Sequence, residues 1–234
     1  MARRGEVNKK VTKDKDKRPV RWRKYPHIFL IVCEDEKTEP YYFNQFIGCF
    51  PAETVFLRTV GTGSSSLGVV ECSELERNKL AIESNKMVDE VWVVFDKDDA
   101  DKSSGNTKRF IQAFKKAKEL NHKVAYSNEV FELWLLLHIS GVDATKEVPR
   151  EEIYALLESV GKSFLPEFEY THGNTDIVDL VLRFGDENRA IERAAAIYML
   201  KDGVQPIDAN PSTTVHILVK RLRELIAYYN FIPE

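Results

Sequence analysis

The stretch VDEVWVVFDKDD, residues 88–99, decides the fold class, because an apolar run is followed at once by a cluster of acids. Its run 91–95 is apolar on both faces and leads into Asp96, which is typical of a buried central strand in a parallel sheet. A second stretch, HIFLIVCEDE at 27–36, has the same arrangement, and its apolar run is followed by Glu34. Ligands of open α/β sheets bind beyond the carboxyl ends of the strands. We therefore expect the two acidic strand ends to form one site.

The rest of the pattern alternates strands with helices. Strands are predicted at 27–34, 54–61, 88–96 and 122–128, and helices at 39–50, 67–86, 106–120 and 129–139. This alternation predicts an α/β fold with a parallel four-stranded sheet flanked by helices. From about residue 149 the pattern is helical only. The predicted organisation is a basic, disordered arm at 1–26, an α/β core at 27–140, and a helical C-terminal portion at 141–234 packed on or beside the core.

The composition is that of an ordinary globular chain of 234 residues, with 43% hydrophobic residues, 30% charged residues and a net charge of −3. These fractions are sufficient for a sizeable core. The three cysteines have no CxxC spacing, so neither a disulfide framework nor a zinc site is indicated. The first residues lack the apolar segment of a secretory signal, and no apolar run reaches the roughly 18 residues that span a bilayer. We expect a cytoplasmic protein with no membrane partner.

Charge is distributed unevenly along the chain. Residues 1–26 contain eleven Lys and Arg and three acids, a net charge of +8 that leaves −11 for the remainder. Such an arm neutralises phosphates through counterion release, and an aromatic ring within it can stack on a base. It therefore favours a nucleic-acid partner, although a solvated tail that only keeps the protein soluble would have the same composition. The candidate nucleic-acid-binding residues are Arg18, Arg21, Trp22, Arg23 and Lys24.

The acids after the two strands have the chemistry of a magnesium site. Asp96 and Asp98 point the same way if the strand continues through them, because alternate residues of a strand share a face. Mg²⁺ binds one or two carboxylates, keeps several waters and takes its other ligands from phosphate. Glu34, Asp96 and Asp98 are therefore the predicted ligands of Mg²⁺ or Mn²⁺, which would activate water for phosphodiester hydrolysis. A turn, a helix cap or an exposed loop would also explain an acid cluster, and these explanations fit Asp35 and Asp99 better.

The order of these motifs resembles that of a known family. A glutamate after the first strand, followed by D-x-D after a later one, is similar to the Toprim domain shared by topoisomerases, primases and OLD-type nucleases. More specifically, the chain resembles the RloB family of bacterial defence-associated proteins in CEDEKTEPYYF (33–43), VVFDKDD (93–99), SNEVFELWLLLH (127–138) and PSTTVHILVKRL (211–222). The resemblance implies a Toprim-like sheet, metal binding by Asp96 and Asp98, and a role for Glu34 as general acid/base or metal ligand. It also implies a role in anti-phage defence.

Three further features have local explanations. Where the family pattern usually has Gly, this chain has Asp35, which tolerates the positive φ that Gly permits and adds a charge near the metal. The segment GTGSSS at 61–66 ends near a predicted helix start, where backbone N–H groups bind phosphate, but it lacks the Lys of a P-loop. Asn210 and Pro211 are typical of a helix N-cap followed by Pro in the first turn.

Polar residues within apolar segments have both a structural and a functional explanation. Glu132 and His138 lie in the apolar helix predicted at 129–139, where an unpaired acid would be costly to bury. Glu132 is therefore either a catalytic residue or the partner in a structural ion pair. We expect His138 to be a core histidine with satisfied hydrogen bonds, and Lys97 to reach solvent.

Three functions are compatible with the sequence. The favoured one is a Mg²⁺-dependent endonuclease acting on RNA or DNA, tRNA included, with Glu34, Asp96, Asp98 and Glu132 as catalytic residues. The alternative is a catalytically silent adaptor that binds nucleic acid, a partner ATPase or a defence-system subunit, although such a module has no need of clustered carboxylates. A haloacid-dehalogenase-like phosphatase also carries D-x-D after a strand, but that family has Thr or Val where this chain has Ala100.

Overall fold

A five-stranded, mostly parallel sheet forms the centre of the α/β fold. The computed structural model describes residues 25–231. Four parallel strands lie where the sequence predicts them, and they are arranged in the order β2-β1-β3-β4. Their bounds are β1 His27–Cys33, β2 Val55–Gly61, β3 Glu90–Asp96 and β4 Lys123–Asn128. The predicted number of four strands is wrong, because a short strand β5, Ser212–Thr213, adds to β4 in the antiparallel direction.

Eight α-helices connect and cover these strands within residues 25–231. Four follow the strands in turn and four lie in the C-terminal part. Their bounds are α1 Thr38–Asn44, α2 Ser66–Ser84, α3 Ser104–Glu119, α4 Glu132–Ile139, α5 Arg150–Phe164, α6 Asp176–Phe184, α7 Glu187–Leu200 and α8 Val215–Asn230. The helix predicted at 39–50 is α-helical only to Asn44 and continues as a 3-10 turn, Gln45–Cys49. No helix of the described part is long and apolar enough to cross a membrane.

Alternate residues of each central strand contribute to two separate hydrophobic cores. On β1, Ile28 and Leu30 pack toward α2 and α3, whereas Phe29 and Ile31 pack toward α1 and α4–α8. Both faces of the strand are therefore buried, as its continuous apolar sequence predicts. The C-terminal helices therefore share with the sheet the core that contains Phe29 and Ile31. Trp134 of α4, fully buried there, is among the largest side chains in this core.

The segment before α8 differs from the prediction. Asn210 and Pro211 do not begin the helix, which starts at Val215. Instead, Thr214 donates its backbone N–H to the Tyr126 carbonyl at 2.8 Å, and its hydroxyl accepts the Tyr126 N–H at 2.9 Å. These bonds satisfy the polar backbone of the β4 edge, which would otherwise be buried without partners. The backbone of this segment is therefore used to extend the sheet.

Candidate metal centre

The ends of β1 and β3 bring Glu34 and Asp96 into direct contact. The two strands are adjacent and parallel, with Cys33 opposite Val94. Glu34 is the first residue after β1, and its Oε2 accepts the backbone N–H of Asp96, the last residue of β3, at 2.9 Å. The expected meeting of the two acidic strand ends is therefore observed.

Asp98 reaches the same place by a different backbone route from the one expected. The strand ends at Asp96, and Asp98 has a φ of 45°, so the two side chains do not share a strand face. Asp98 nevertheless lines one pocket together with Glu34 and Asp96. Its Oδ1 lies 3.4 Å from Nη1 of Arg150 on α5. A turn in the left-handed region, rather than an extended strand, directs this carboxylate into the site.

Glu132 also lies in this pocket, at the first turn of α4. It is buried, and its Oε1 accepts the Tyr170 hydroxyl at 2.8 Å and lies 3.5 Å from Nδ1 of His172. The four carboxylates predicted as catalytic therefore line a single cavity. Its full lining is Glu34, Asp35, Thr38, Glu39, Asp96, Asp98, Val130, Phe131, Glu132 and His172.

Glu39 is a site residue that the sequence interpretation did not select. It lies in the first turn of α1, is 1% exposed, and accepts the Asp35 N–H at 3.1 Å through Oε2. An acid in the first turn of a helix is ordinarily explained by the helix dipole, so its position alone gives no signal. Its spacing from Tyr42 and Phe43, both buried on the same helix face, does place it toward the core.

The pocket concentrates negative charge away from water. Burial raises the pKa of Glu34 to about 8, although the Asp96 N–H lowers it and the charge of Asp98 raises it again. Burial also raises the pKa of Asp96, and the nearest acids, first Glu39 and then Asp98, raise it further. Burial and the charge of Glu34 raise the pKa of Glu39. Such mutual repulsion would be relieved by a bound cation.

The donor atoms suit a hard divalent cation. Oδ2 of Asp96 accepts the Phe131 N–H at 2.8 Å, whereas its buried Oδ1 has no hydrogen-bond partner. Within residues 25–231, no three His, Cys, Asp or Glu side chains are already grouped as a complete metal site. Mg²⁺ does not require such a group, because it binds through one or two carboxylates and completes its shell with water and phosphate. An unpartnered carboxylate oxygen among acids with raised pKa values therefore fits Mg²⁺ or Mn²⁺.

A second pocket lies on the other side of the same carboxylates. It begins at the N-terminus of α2, whose first residue is Ser66, close to where the sequence predicts a helix start after GTGSSS. Arg109 of α3 also lines it. The side chains shared with the carboxylate pocket are Glu34, Asp96 and Asp98. A helix N-terminus and a cation thus lie beside the acids, a combination suited to an anionic ligand.

Comparison with known proteins identifies the family. A family model described as RloB-like protein matches residues 29–222. The chain belongs to the RloB-like protein family. No curated protein and no solved structure matches it.

Asp35 is the position in this RloB-like chain where the sequence analysis expected a residue that tolerates a positive φ. It does not adopt a positive φ. Its Oδ1 accepts the Glu36 N–H at 2.8 Å, and its Oδ2 accepts the Thr38 N–H at the start of α1. Both carboxylate oxygens therefore stabilise the turn between β1 and α1.

Lys97 and His138 test two further expectations for this RloB-like chain. The expectation that Lys97 reaches solvent is wrong: it is 7% exposed, and its Nζ lies 2.6 Å from Oε1 of Glu129 and 3.1 Å from Oδ2 of Asp101. His138 is a core histidine as expected, with Nδ1 at 2.9 Å from the Trp134 carbonyl and Nε2 at 3.2 Å from the Tyr42 hydroxyl. Burial lowers the pKa of His138 to about 4.

The basic arm gives no structural information on nucleic-acid contact. Its candidate residues lie outside the described part of the chain, which begins at residue 25. Their role therefore stays a prediction from composition. These residues are Arg18, Arg21, Trp22, Arg23 and Lys24.

Proposed function

We propose that this RloB-like protein is a divalent-metal-dependent nuclease with a Toprim-type site, which hydrolyses phosphodiester bonds of RNA or DNA. The observation that carries the proposal is the convergence of Glu34, Asp96, Asp98 and Glu132 on one pocket beyond the carboxyl ends of β1 and β3. Open α/β sheets bind their ligands at this edge. These acids lie in a mostly buried pocket where each raises the cost of ionising the others, and a bound cation would relieve that cost.

Glu34, Asp96 and Asp98 would hold Mg²⁺ or Mn²⁺ in this pocket. When bound, the cation neutralises charge on the phosphate and lowers the pKa of a water molecule. Oδ1 of Asp96 is the first ligand we assign, because it is buried and without a hydrogen-bond partner. The Asp98 side chain is less restrained, since it is 51% exposed and contacts Nη1 of Arg150 at 3.4 Å.

Glu34 is also placed for proton transfer. Its Oε2 is held by the Asp96 N–H, which leaves Oε1 to face the pocket. Without a cation, a pKa of about 8 favours the protonated carboxyl at neutral pH, and a bound cation would lower the pKa and favour the carboxylate. Glu34 would therefore exchange a proton with the attacking water or with the leaving oxygen.

The α2 N-terminus and Arg109 would bind the phosphate next to the cleaved bond. Backbone N–H groups at a helix start favour anions, and Arg provides paired donors to phosphate oxygens. Both line the pocket that shares Glu34, Asp96 and Asp98 with the carboxylate site. Phosphate binding and phosphodiester hydrolysis are thus assigned to two adjoining pockets.

A cleavage assay tests the proposal. Purified protein is incubated with total RNA and with plasmid DNA in Mg²⁺, in Mn²⁺ and in a chelator. We expect either the RNA or the DNA to be cleaved, and only when metal is present. We expect Glu34→Gln to lose this cleavage. Glu36→Gln is the matched control, because Glu36 is an exposed acid in the same loop. Equal cleavage by wild type and Glu34→Gln would refute the site.

A role in bacterial defence against phage is proposed from family membership. Phage should form fewer plaques on bacteria that express the wild-type chain than on bacteria that express Glu34→Gln. Equal plaque counts would contradict the defence role and leave the nuclease assay unaffected. Partner ATPases or other defence subunits would be sought by co-purification from the same cells.

A further inference from the structure

Three aromatic rings form a stack at the edge of the carboxylate pocket. Tyr154 of α5 contacts both Tyr170 and His172, which belong to the segment joining α5 to α6. The Tyr154 and Tyr170 rings are stacked with centroids 4.9 Å apart and planes at 23°. The Tyr154 and His172 rings have centroids 5.6 Å apart, tilted by 40°. His172 is the exposed ring of the three, whereas Tyr154 and Tyr170 are half-buried.

Glu132 fixes the stack to the site. Its Oε1 accepts the Tyr170 hydroxyl at 2.8 Å and lies 3.5 Å from His172 Nδ1, so one carboxylate oxygen restrains both ends. The imidazole is held in place although its side chain is 71% exposed. A restrained aromatic ring that remains largely open to solvent has lost its rotational freedom before any ligand arrives. Binding a flat ligand against it therefore costs little further entropy.

The position of the stack relative to the acids limits what that ligand is. His172 lines the same pocket as Glu34, Asp96 and Asp98. Arg150 lies one helical turn before Tyr154, about 6 Å along α5, and contacts Asp98 and Asp99. A flat group on His172 would therefore lie in the pocket of the carboxylates, one of which, Asp98, contacts this arginine. A nucleotide adjacent to the cleaved phosphate satisfies these conditions.

We propose that His172, supported by Tyr154 and Tyr170, is a stacking subsite for an unpaired nucleobase next to the scissile phosphodiester. This inference rests on the proposed nuclease function and defines its substrate class. Bases of a duplex are already stacked on both faces, and removing one from the stack costs a few kcal/mol. A free aromatic face is available in single strands, loops and ends. The favoured substrate is therefore a single-stranded segment of RNA or DNA.

The test measures binding without turnover. Oligonucleotides of one sequence, as single-stranded RNA, single-stranded DNA and duplex, carry 2-aminopurine at successive positions and are titrated with the full chain in Ca²⁺. We expect quenching at one position of a single strand with wild type and with His172→Phe, and none with His172→Ala. Affinity of His172→Ala for that strand should be about 5- to 150-fold lower. Comparing the RNA strand with the DNA strand identifies which sugar the site accepts.

Thr171→Ala is the control, because Thr171 is exposed and next to His172 in the chain. It should bind and quench as wild type does, and the unfolding midpoint of His172→Ala should be unchanged. Unchanged affinity of His172→Ala, equal losses in His172→Ala and His172→Phe, or equal quenching in the duplex would each overturn the stacking subsite. Metal-dependent cleavage by wild type, measured separately, shows whether the nuclease proposal survives such a result.

Discussion

The backbone N–H of Asp98 donates to the carbonyl of Glu129 at 2.9 Å, and both residues are in the left-handed region, with φ of 45° and 43°. Such a conformation costs a non-glycine residue about 1–3 kcal/mol and persists only when the surroundings enforce it. Here the two turns after β3 and β4 enforce it on each other. Nζ of Lys97 adds a side-chain bond to Glu129 Oε1 at 2.6 Å. The strained residues are therefore Asp98, a predicted metal ligand, and Glu129.

Removing the Glu129 charge should therefore loosen this pair of turns. Among residues 25–231, Glu129→Gln leaves the buried Lys97 with the partly exposed Asp101 as its acidic partner. We expect the free energy of unfolding to fall by about 1–3 kcal/mol, less than for a fully isolated buried charge. Denaturant unfolding measures this, with the exposed Glu119→Gln as control. A midpoint equal to that of the control would show that the ion pair does not stabilise the turns.

Neutralising a metal ligand should abolish cleavage without lowering the stability of the fold. Burial and neighbouring acids raise the pKa of Asp96, so its charge is unfavourable without a cation. Asp96→Asn and Asp98→Asn should abolish metal-dependent cleavage, while thermal unfolding in a chelator stays unchanged or shifts to higher temperature. Calorimetric titration of Mg²⁺ should show weaker binding in both variants. Wild-type cleavage in both would remove these two residues from the proposed mechanism.

Glu132 separates a catalytic from a structural role. Glu132→Gln keeps an oxygen for the Tyr170 hydroxyl but loses the charge facing the pocket. If Glu132 is catalytic, turnover falls and unfolding changes by less than about 1.5 kcal/mol, because its ionic partner His172 is exposed and not left buried. A purely structural role would instead leave metal-dependent turnover at the wild-type level, because removing the charge would then affect only the fold. Tyr170→Phe is the control that removes the hydrogen bond and keeps the ring.

Glu90 gives a stability prediction with a defined pH dependence. It is buried at the start of β3 and accepts Arg221 Nε and Lys123 Nζ, each at 2.8 Å. Burial alone would raise its pKa, but hydrogen bonds from His27 and the two cations lower it below its ordinary value of 4.5. Because the folded-state pKa lies below the unfolded-state pKa, this stabilisation is present above about pH 4.5 and is lost as the pH falls through the folded-state pKa.

Glu90→Gln should accordingly lower the free energy of unfolding by about 1–3 kcal/mol at neutral pH. The difference from wild type should shrink as the pH falls from about 4.5 toward the lower folded-state pKa, because in this range the unfolded state takes up the proton before the folded state does. Unfolding midpoints measured across this range provide the check. An offset that stays constant down to the acid limit would mean that the Glu90 charge is not what stabilises the fold.

The strands and the meeting of Glu34 with Asp96 were accessible from the sequence because both depend on short-range patterns. Apolar runs define the buried strands, and neighbouring parallel strands must end at the same edge. Strand β5 was not accessible, because two residues carry no periodicity and form a strand only by pairing with β4. Thr214 contributes to that pairing through side-chain and backbone bonds that no local pattern records.

The parts of the site that were missed come from long-range contacts. Tyr170 and His172 lie almost forty residues beyond Glu132 in the chain and reach it only because α5 folds back against α4. The burial of Lys97 likewise depends on Glu129, which follows a different strand. A lysine between two aspartates is ordinarily solvated, and the turn after β4 brings Glu129, the closer of the two acids that pair with it.

The final prediction concerns the basic arm and separates affinity from chemistry. Eleven Lys and Arg within residues 1–26, at a net charge of +8, precede a remainder of −11, so the arm either binds phosphate or pairs with acids of the same chain. If it binds nucleic acid, deletion of residues 1–24 should weaken binding. The dependence of log K on log salt should become flatter by about 0.7–0.9 for each phosphate that the shortened chain no longer neutralises.

The rate at saturating substrate should stay near that of wild type in this deletion, because Glu34, Asp96 and Asp98 lie outside the deleted segment. A salt titration of binding in Ca²⁺, with the full chain and the deletion side by side, decides between the two roles of the arm. Identical slopes would assign the arm to solubility alone and leave the nuclease proposal standing. A flatter slope with an unchanged maximal rate would instead show that the arm binds phosphates and the carboxylate pocket contributes the chemistry.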